Sequence, residues 1–319
     1  MCPPHRMDKK WGNREMAADL RTLRQTRAQR LYRKWFPYLL IAPVVIYICV
    51  WLIYPLFYGV GMSLTNKSVG REGKFIGFTN FLLLLKKREY VNTVLNTFRY
   101  VLVTCSLKLI FGLIIALTLN SGLRMKGLAR ALLFIPWAVP AVVSIYTWKW
   151  MFSDVAGVLN AILLNTGIIT KKIAWLSTPA MAFTSIVMVN VWRGAPFIGM
   201  SVLSGLQAVP KDMYEAASLD GAGTIKQFLY VTLPSIRDVV MLSGLVTMIW
   251  TFSDFNTIWL MTKGGPLNST QVISTYSYVL SMQKMNIGQS LAATVMFMPL
   301  LIVMVNIATG KTLKKEGMA

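Results

Sequence analysis

Two sets of residues combine polar chemistry with helical spacing inside apolar surroundings. Asn190, Arg193, Gly194 and Phe197 recur at i, i+3, i+4 and i+7, and so do Thr247, Trp250, Thr251 and Asp254. Each set therefore shares one face of a helix. Amide, hydroxyl, guanidinium and carboxylate groups on such faces can hydrogen-bond a polyhydroxylated solute, while Trp250 or Phe197 can pack on the apolar face of a sugar ring. Gly194 and the nearby Pro196 would loosen their helix and let backbone line a cavity. A structural alternative stays open at each position. Arg193 and Asp254 can neutralise each other or a partner, and Thr and Asn serve as glue between helices.

Catalytic chemistry finds no support. The single histidine, His5, lies near the terminus, so no Ser-His-Asp set can form. Cys2, Cys49 and Cys105 are scattered and make no CxxC or paired framework. Asp254 has no second carboxylate at mid-span, which argues against an aspartyl-type pair. Gly310-Lys311-Thr312 looks like the end of a phosphate-binding loop, but Val305 stands where its first glycine belongs and no strand precedes it. No catalytic residue, no metal site and no bound cofactor are expected.

The elements that position the polar faces are apolar. The 319 residues are 55% hydrophobic and 14% charged, with a mean hydropathy of +0.53, which places the chain in the membrane class. A span of about 30 Å of hydrocarbon takes around 20 residues. Six runs qualify, near 37–62, 97–120, 128–151, 179–205, 236–262 and 287–309. Pro43, Pro55, Pro136 and Pro140 fall inside two of them and predict kinks. Lys108 is expected to pair with an acid, and Arg99 and Lys149 to reach lipid headgroups. The net charge of +21 would suggest nucleic acid in a soluble chain, but here it flanks apolar runs, which suits topology and anionic lipid, and no nucleic-acid motif appears. With the N-terminus inside, inner segments hold nineteen Lys and Arg and outer loops ten. That bias puts both termini in the cytoplasm, against the exception of Lys86-Lys87-Arg88. The chain then divides into a basic tail over 1–35, a six-helix body over 36–309 and a short tail over 310–319.

In this topology residues 206–235 face the cytoplasm. Pro210 and Asp212 fit a first helical turn. That helix should run through Glu215-Ala216-Ala217 and stop at Gly221-Ala222-Gly223. Thr224 and Gln227 have capping-box spacing for a second helix, Pro234 should end it, and Ser235 with Asp238 offers a cap for the fifth span. Two short helices at a sharp angle are expected.

Glu215-Ala216-Ala217, three residues, Gly221, nine residues, Val231, one residue and Leu233-Pro234 resembles the EAA loop of permease subunits in binding-protein-dependent ABC importers. Val231 stands where isoleucine is usual. Asp220-Gly221-Ala222, Phe228 and Thr262-Lys263-Gly264-Gly265-Pro266 are similar to the carbohydrate-uptake branch, with Lys263 where a small residue is commoner. The resemblance covers roughly 36–309. It implies an all-α integral membrane protein of six transmembrane helices, with a coupling loop between helices 4 and 5 formed by Glu215, Ala216, Ala217, Asp220, Gly221, Ala222, Phe228, Leu233 and Pro234. It implies two copies of a separate ATPase, which uses ATP and Mg2+, a second homologous permease subunit, and an extracytoplasmic solute-binding protein. The implied place is the cytoplasmic membrane of a bacterium or archaeon and the implied cargo a carbohydrate. A phosphorylated polyol such as glycerol 3-phosphate, with Arg193 as its anion partner, is the alternative cargo. A membrane scaffold or receptor without transport is the alternative of another class.

Overall fold

The computed structural model describes residues 27–121 and 125–315. The expected basic tail lies outside the described residues as far as residue 26. The chain is already helical from Arg27, and the last helix continues through Lys315, past the boundary expected at 310. Two compact units divide between Gly59 and Val60.

The described residues are helical apart from loops and three isolated β-bridges. Helix α1 (Arg27–Ile48) passes through a π turn at Cys49–Ile53 into α2 (Tyr54–Ser63). The second unit continues with α3 (Thr79–Lys86), α4 (Arg88–Asn120), α5 (Lys126–Ala138), α6 (Ala141–Met151), α7 (Val158–Asn165) and α8 (Pro179–Gln207). Then follow α9 (Lys211–Leu219), α10 (Thr224–Gln227), a π turn (Phe228–Thr232) and α11 (Leu233–Phe252). The chain closes with α12 (Asn256–Thr262), α13 (Ile273–Tyr278), a π turn (Val279–Gln283), α14 (Ile287–Val295) and α15 (Met298–Lys315). Five stretches are long and apolar enough to cross a membrane, and a sixth forms if the bent pair α5 and α6 counts as one span.

The prolines predict kinks, and two of the apolar runs are broken outright. The third breaks by 88° between α5 and α6. Pro140 has no N–H to donate to the turn before it and forces Val139 into an extended conformation (φ −69°, ψ 135°). The fifth stops at Phe252, not at 262. There Ser253 and Asp254 interrupt the helix, since short polar side chains compete for backbone groups, and α12 starts anew under the Asp254 carboxylate.

The core is built on α4, α8 and α11, which pack against one another. Glycine sets the closest crossing. A Cβ on Gly112 of α4 would lie 2.6 Å from Ile198 Cγ2, and one on Gly199 of α8 would lie 2.7 Å from Ile115 Cγ2. Small residues let two backbones approach where no water-driven force acts between helices. Around this crossing Ala116, Leu119, Ile198, Val202, Leu203, Leu206 and Ile236 form one apolar cluster. A second cluster runs from Tyr100 through Ile186 and Val189 to Ile258.

Candidate functional site

The first candidate region is the hairpin of α9 and α10. Pro210 occupies the N-cap of α9 and Asp212 its first turn. The helix ends because Gly221 turns left-handed at φ +75°. Its N–H then bonds Ser218 O at 3.1 Å and that of Ala222 bonds Ala217 O at 2.9 Å, so the last carbonyls are satisfied. No atom crowds Gly221, so the need for glycine there is conformational and not steric.

Two expected features of the hairpin differ in the structure. Thr224 and Gln227 form no capping box, because Gly223 is the N-cap and Thr224 is already helical. The Gln227 amide instead reaches back across the hairpin, donating to Ser218 Oγ at 2.8 Å and Ala222 O at 3.0 Å. Nor does Pro234 end a helix. The chain is helical from Thr224 to Phe252, because the π turn before Pro234 shifts the ladder to wider bonds, as in Leu233 N–H to Phe228 O. Ser235 back-bonds to Val231 O at 2.6 Å within this continuous helix and starts no new one. The Tyr214 hydroxyl meets Thr232 Oγ1 at 3.1 Å and ties α9 to the π turn.

Glu215, Ala216, Asp220, Gly221, Leu233 and Pro234 are exposed, and Ala217, Ala222 and Phe228 are half-buried. Beside them Leu219, Ile225 and Tyr230 are 89%, 77% and 77% exposed. Leu219 and Tyr230 escaped the reading by motif, although an apolar residue at the end of a short polar helix was the signal. Together they give the hairpin an apolar tip edged by carboxylates, the character of a protein contact.

The second region lies where α4, α8 and α11 meet. The carboxylate of Asp254 stands beyond the end of α11 and gathers three donors. The Tyr100 hydroxyl donates to Oδ2 at 2.8 Å, Asn190 Nδ2 donates to the same oxygen, and Thr257 N–H donates to Oδ1 at 3.1 Å. The Ser274 hydroxyl reaches the Asp254 carbonyl at 3.1 Å. Asp254 thus joins four segments of chain and caps α12.

Lys108 and Arg193 are not neutralised in this way. Lys108 is 5% exposed, and its Nζ donates to Thr251 Oγ1 at 3.1 Å. Among the described residues no acid lies within ion-pair distance of Lys108 or Arg193. The expected partnership of Lys108 with an acid is therefore corrected to a hydroxyl, and Arg193 and Asp254 do not pair. Gly194 makes room for Lys108, since a Cβ there would meet Lys108 Cε at 2.5 Å. Arg193 Nε, Asn190 Oδ1 and Thr247 Oγ1 are buried without a hydrogen-bond partner.

Aromatic rings border this cluster. Phe197 and Trp250 lie 4.9 Å apart between centroids, and Trp137 of α5 stacks on Phe197 at 6.2 Å. Phe134 continues the row at 4.9 Å from Trp137. Trp250 is 51% exposed, whereas Thr247 and Thr251 of the same set are buried. Trp137, Lys108 and Tyr100 were absent from the sequence-derived set. Trp137 sits one residue after Pro136, in a stretch whose bend hid its direction. The other two cations have contacts within the chain. Lys149 donates to Leu260 O at 2.7 Å near the end of α12, and Arg99 lies 4.3 Å above the Phe183 ring.

Comparison with known proteins assigns the family. Residues 108–309 match the model of the "Binding-protein-dependent transport system inner membrane component". The trehalose/maltose transport system permease protein MalF of Thermococcus litoralis is 36% identical over 242 residues, 76% of this chain and 81% of that one. The sulfoquinovosyl glycerol transport system permease protein SmoG of Agrobacterium fabrum is 33% identical over 263 residues, 81% of this chain and 84% of that one. A solved bacterial alginate ABC transporter in complex with an alginate pentasaccharide-bound periplasmic protein contains a chain of the same fold. Its TM-score is 0.76 at 21% identity, over 91% of this chain and 97% of that one. The two curated relatives are permeases, and the family match spans Lys108, the polar sets of α8 and α11, the hairpin and the last spans. The chain belongs to the binding-protein-dependent transport system inner membrane components: it is a multi-pass permease subunit of an ABC importer, not an enzyme.

Proposed function

We propose that this subunit lines the translocation pathway of a carbohydrate and moves it by alternating access. The observation that carries the reading is the row of Trp137, Phe197 and Trp250 beside buried amide and hydroxyl groups. Flat aromatic faces pack on the C–H faces of sugar rings, and orphaned polar atoms supply directional hydrogen bonds. Relatives named for trehalose/maltose and for sulfoquinovosyl glycerol support the same class, as does the alginate importer of the same fold.

In this reading the hairpin of α9 and α10 is the cytoplasmic coupling element. One of two ATPase copies grips its apolar tip and the Glu215 face, and ATP hydrolysis with Mg2+ belongs to that pair. Because the second helix of the hairpin runs unbroken into the fifth span, a push on the tip is transmitted as motion of that span. A second permease subunit completes the pathway, and a soluble binding protein delivers the sugar on the opposite face. The body over 36–309 is the transmembrane domain of this machine, in the cytoplasmic membrane with both termini inside.

A tag on this chain should co-purify an ATPase and a second permease, and the assembly should import labelled saccharide. Trp250→Ala removes an exposed ring. It should lower import at least severalfold while the ATPase stays bound. Unchanged import kinetics would remove Trp250 from the pathway, and isolation of the chain without an ATPase would sink the coupling role.

A further inference from the structure

We propose that the carbohydrate carries an anionic group, and that Lys108 and Arg193 are the pair that receives it. This rests on the carbohydrate reading above and narrows its substrate class. Lys108 is buried at the meeting of α4, α8 and α11. Its ammonium has one hydroxyl partner, Thr251 Oγ1. Its stem runs across Gly194, next in sequence to Arg193, where a Cβ would come within 2.9 Å of Nζ. Two cations thus share one small region.

The acid beside them does not answer this charge. Asp254 is outside ion-pair distance of both cations, and its carboxylate is held by Tyr100, Asn190 and Thr257. Two cations against one carboxylate leave one positive charge in excess. Charged side chains held in an apolar slab are expensive without a partner and mark binding pathways. The orphaned Arg193 Nε, Asn190 Oδ1 and Thr247 Oγ1 stand in the same region. The guanidinium and the ammonium are the donors an acidic oxygen needs, while the amide and hydroxyl oxygens suit the ring hydroxyls. Phe197 and Trp250 flank them as the ring platform. The chemistry shared by all fitting cargoes is a sugar ring bearing carboxylate, sulfonate or phosphate. Maltose-like neutral sugars leave the extra charge unanswered.

The importer, purified through a tag on this chain with its partner subunits and reconstituted in liposomes with its binding protein, is offered four labelled solutes. These are digalacturonate, glucose 6-phosphate, maltose and inorganic phosphate. An anionic saccharide should enter at least tenfold faster than maltose, and which of the two enters identifies the acidic group. Lys108→Gln and Arg193→Gln should each cut the ratio of anionic to neutral import at least tenfold, and Arg193→Lys should restore part of it. Co-purified ATPase reports assembly for each variant. Competition by unlabelled solutes in the unmodified importer tests the same preference with no variant at all. Maltose imported as well as the acidic sugars, or a ratio unmoved by both glutamine variants, overturns the anion assignment and leaves the carbohydrate reading standing. Import of inorganic phosphate without any saccharide overturns both.

Discussion

Asp254 shows how one side chain can look like a binding residue and act as a joint. Its position in the sequence, seven residues after Thr247 and within an apolar run, is that of a costly intramembrane acid. Its surroundings are those of a structural hub, with a phenol, an amide and a backbone N–H aimed at the two carboxylate oxygens. A hydrogen bond to a charged group contributes about 1.5–3 kcal/mol, and a buried donor stripped of its acceptor costs about 1–3 kcal/mol. Asp254→Ala would strip three donors at once, so a loss of about 3–5 kcal/mol is the expected scale. Asp254→Asn keeps the volume and one acceptor and should lose less. Thermal unfolding of the detergent-purified chain should rank wild type above Asp254→Asn above Asp254→Ala. Equal melting of all three would remove the hub role. The residue types of this network were legible as polar points on two faces. Their partners were not, because Lys108 and Tyr100 come from a helix 143 and 154 residues away in sequence from Thr251 and Asp254, and spacing along one helix carries no information about which neighbour answers it.

At the scale of elements, the hairpin was legible in order but not in its joints. Pro210, Glu215 and the glycines located α9 and its stop. What sequence spacing missed was the continuity of the second helix with its span. A proline five or more residues into a helix ordinarily ends it, yet a π turn ahead of Pro234 absorbs the missing bond. The same device precedes Pro55, where Tyr54 N–H bonds Cys49 O. The glycines also differ from one another, although they look alike in the motif. Gly221 has φ +75°, where any Cβ costs about 1–2 kcal/mol. Gly223 has φ −71° and is an N-cap without a side-chain bond, so serine can fill that role and stabilise the helix. Gly221→Ala should therefore weaken ATP-driven import severalfold, while Gly223→Ser should retain it. Transport by the two variants in the same importer checks this. Equal damage from both would mean that the ATPase reads the glycines by shape, and that backbone conformation is not what matters.

For the whole molecule, the arrangement across the membrane rests on charge counting, to which one cluster is an exception. Lys86, Lys87 and Arg88 fall on the side expected to lie outside. Lys87 Nζ, however, donates to Gln289 Oε1 at 2.9 Å, and beside this cluster Glu89 pairs with Lys284 at 3.6 Å. Lys87 thus ties the junction of α3 and α4 to α14, a role that is the same on either side of the membrane. The hairpin tip and the loop after α12 supply the test, because each carries a solvent-facing leucine. Leu219 is 89% exposed and Leu267 is 93% exposed. Cysteine at either site should react readily in a background where Cys2 and the exposed Cys49 are serine, since Cys105 is buried. A membrane-impermeant maleimide applied to intact cells, or to spheroplasts where an outer membrane is present, should label Leu267→Cys and spare Leu219→Cys. Opening the cytoplasmic membrane should then expose Leu219→Cys. The reverse pattern would place the hairpin on the side without ATP, and no ATPase could then reach the lever that α10 and α11 form.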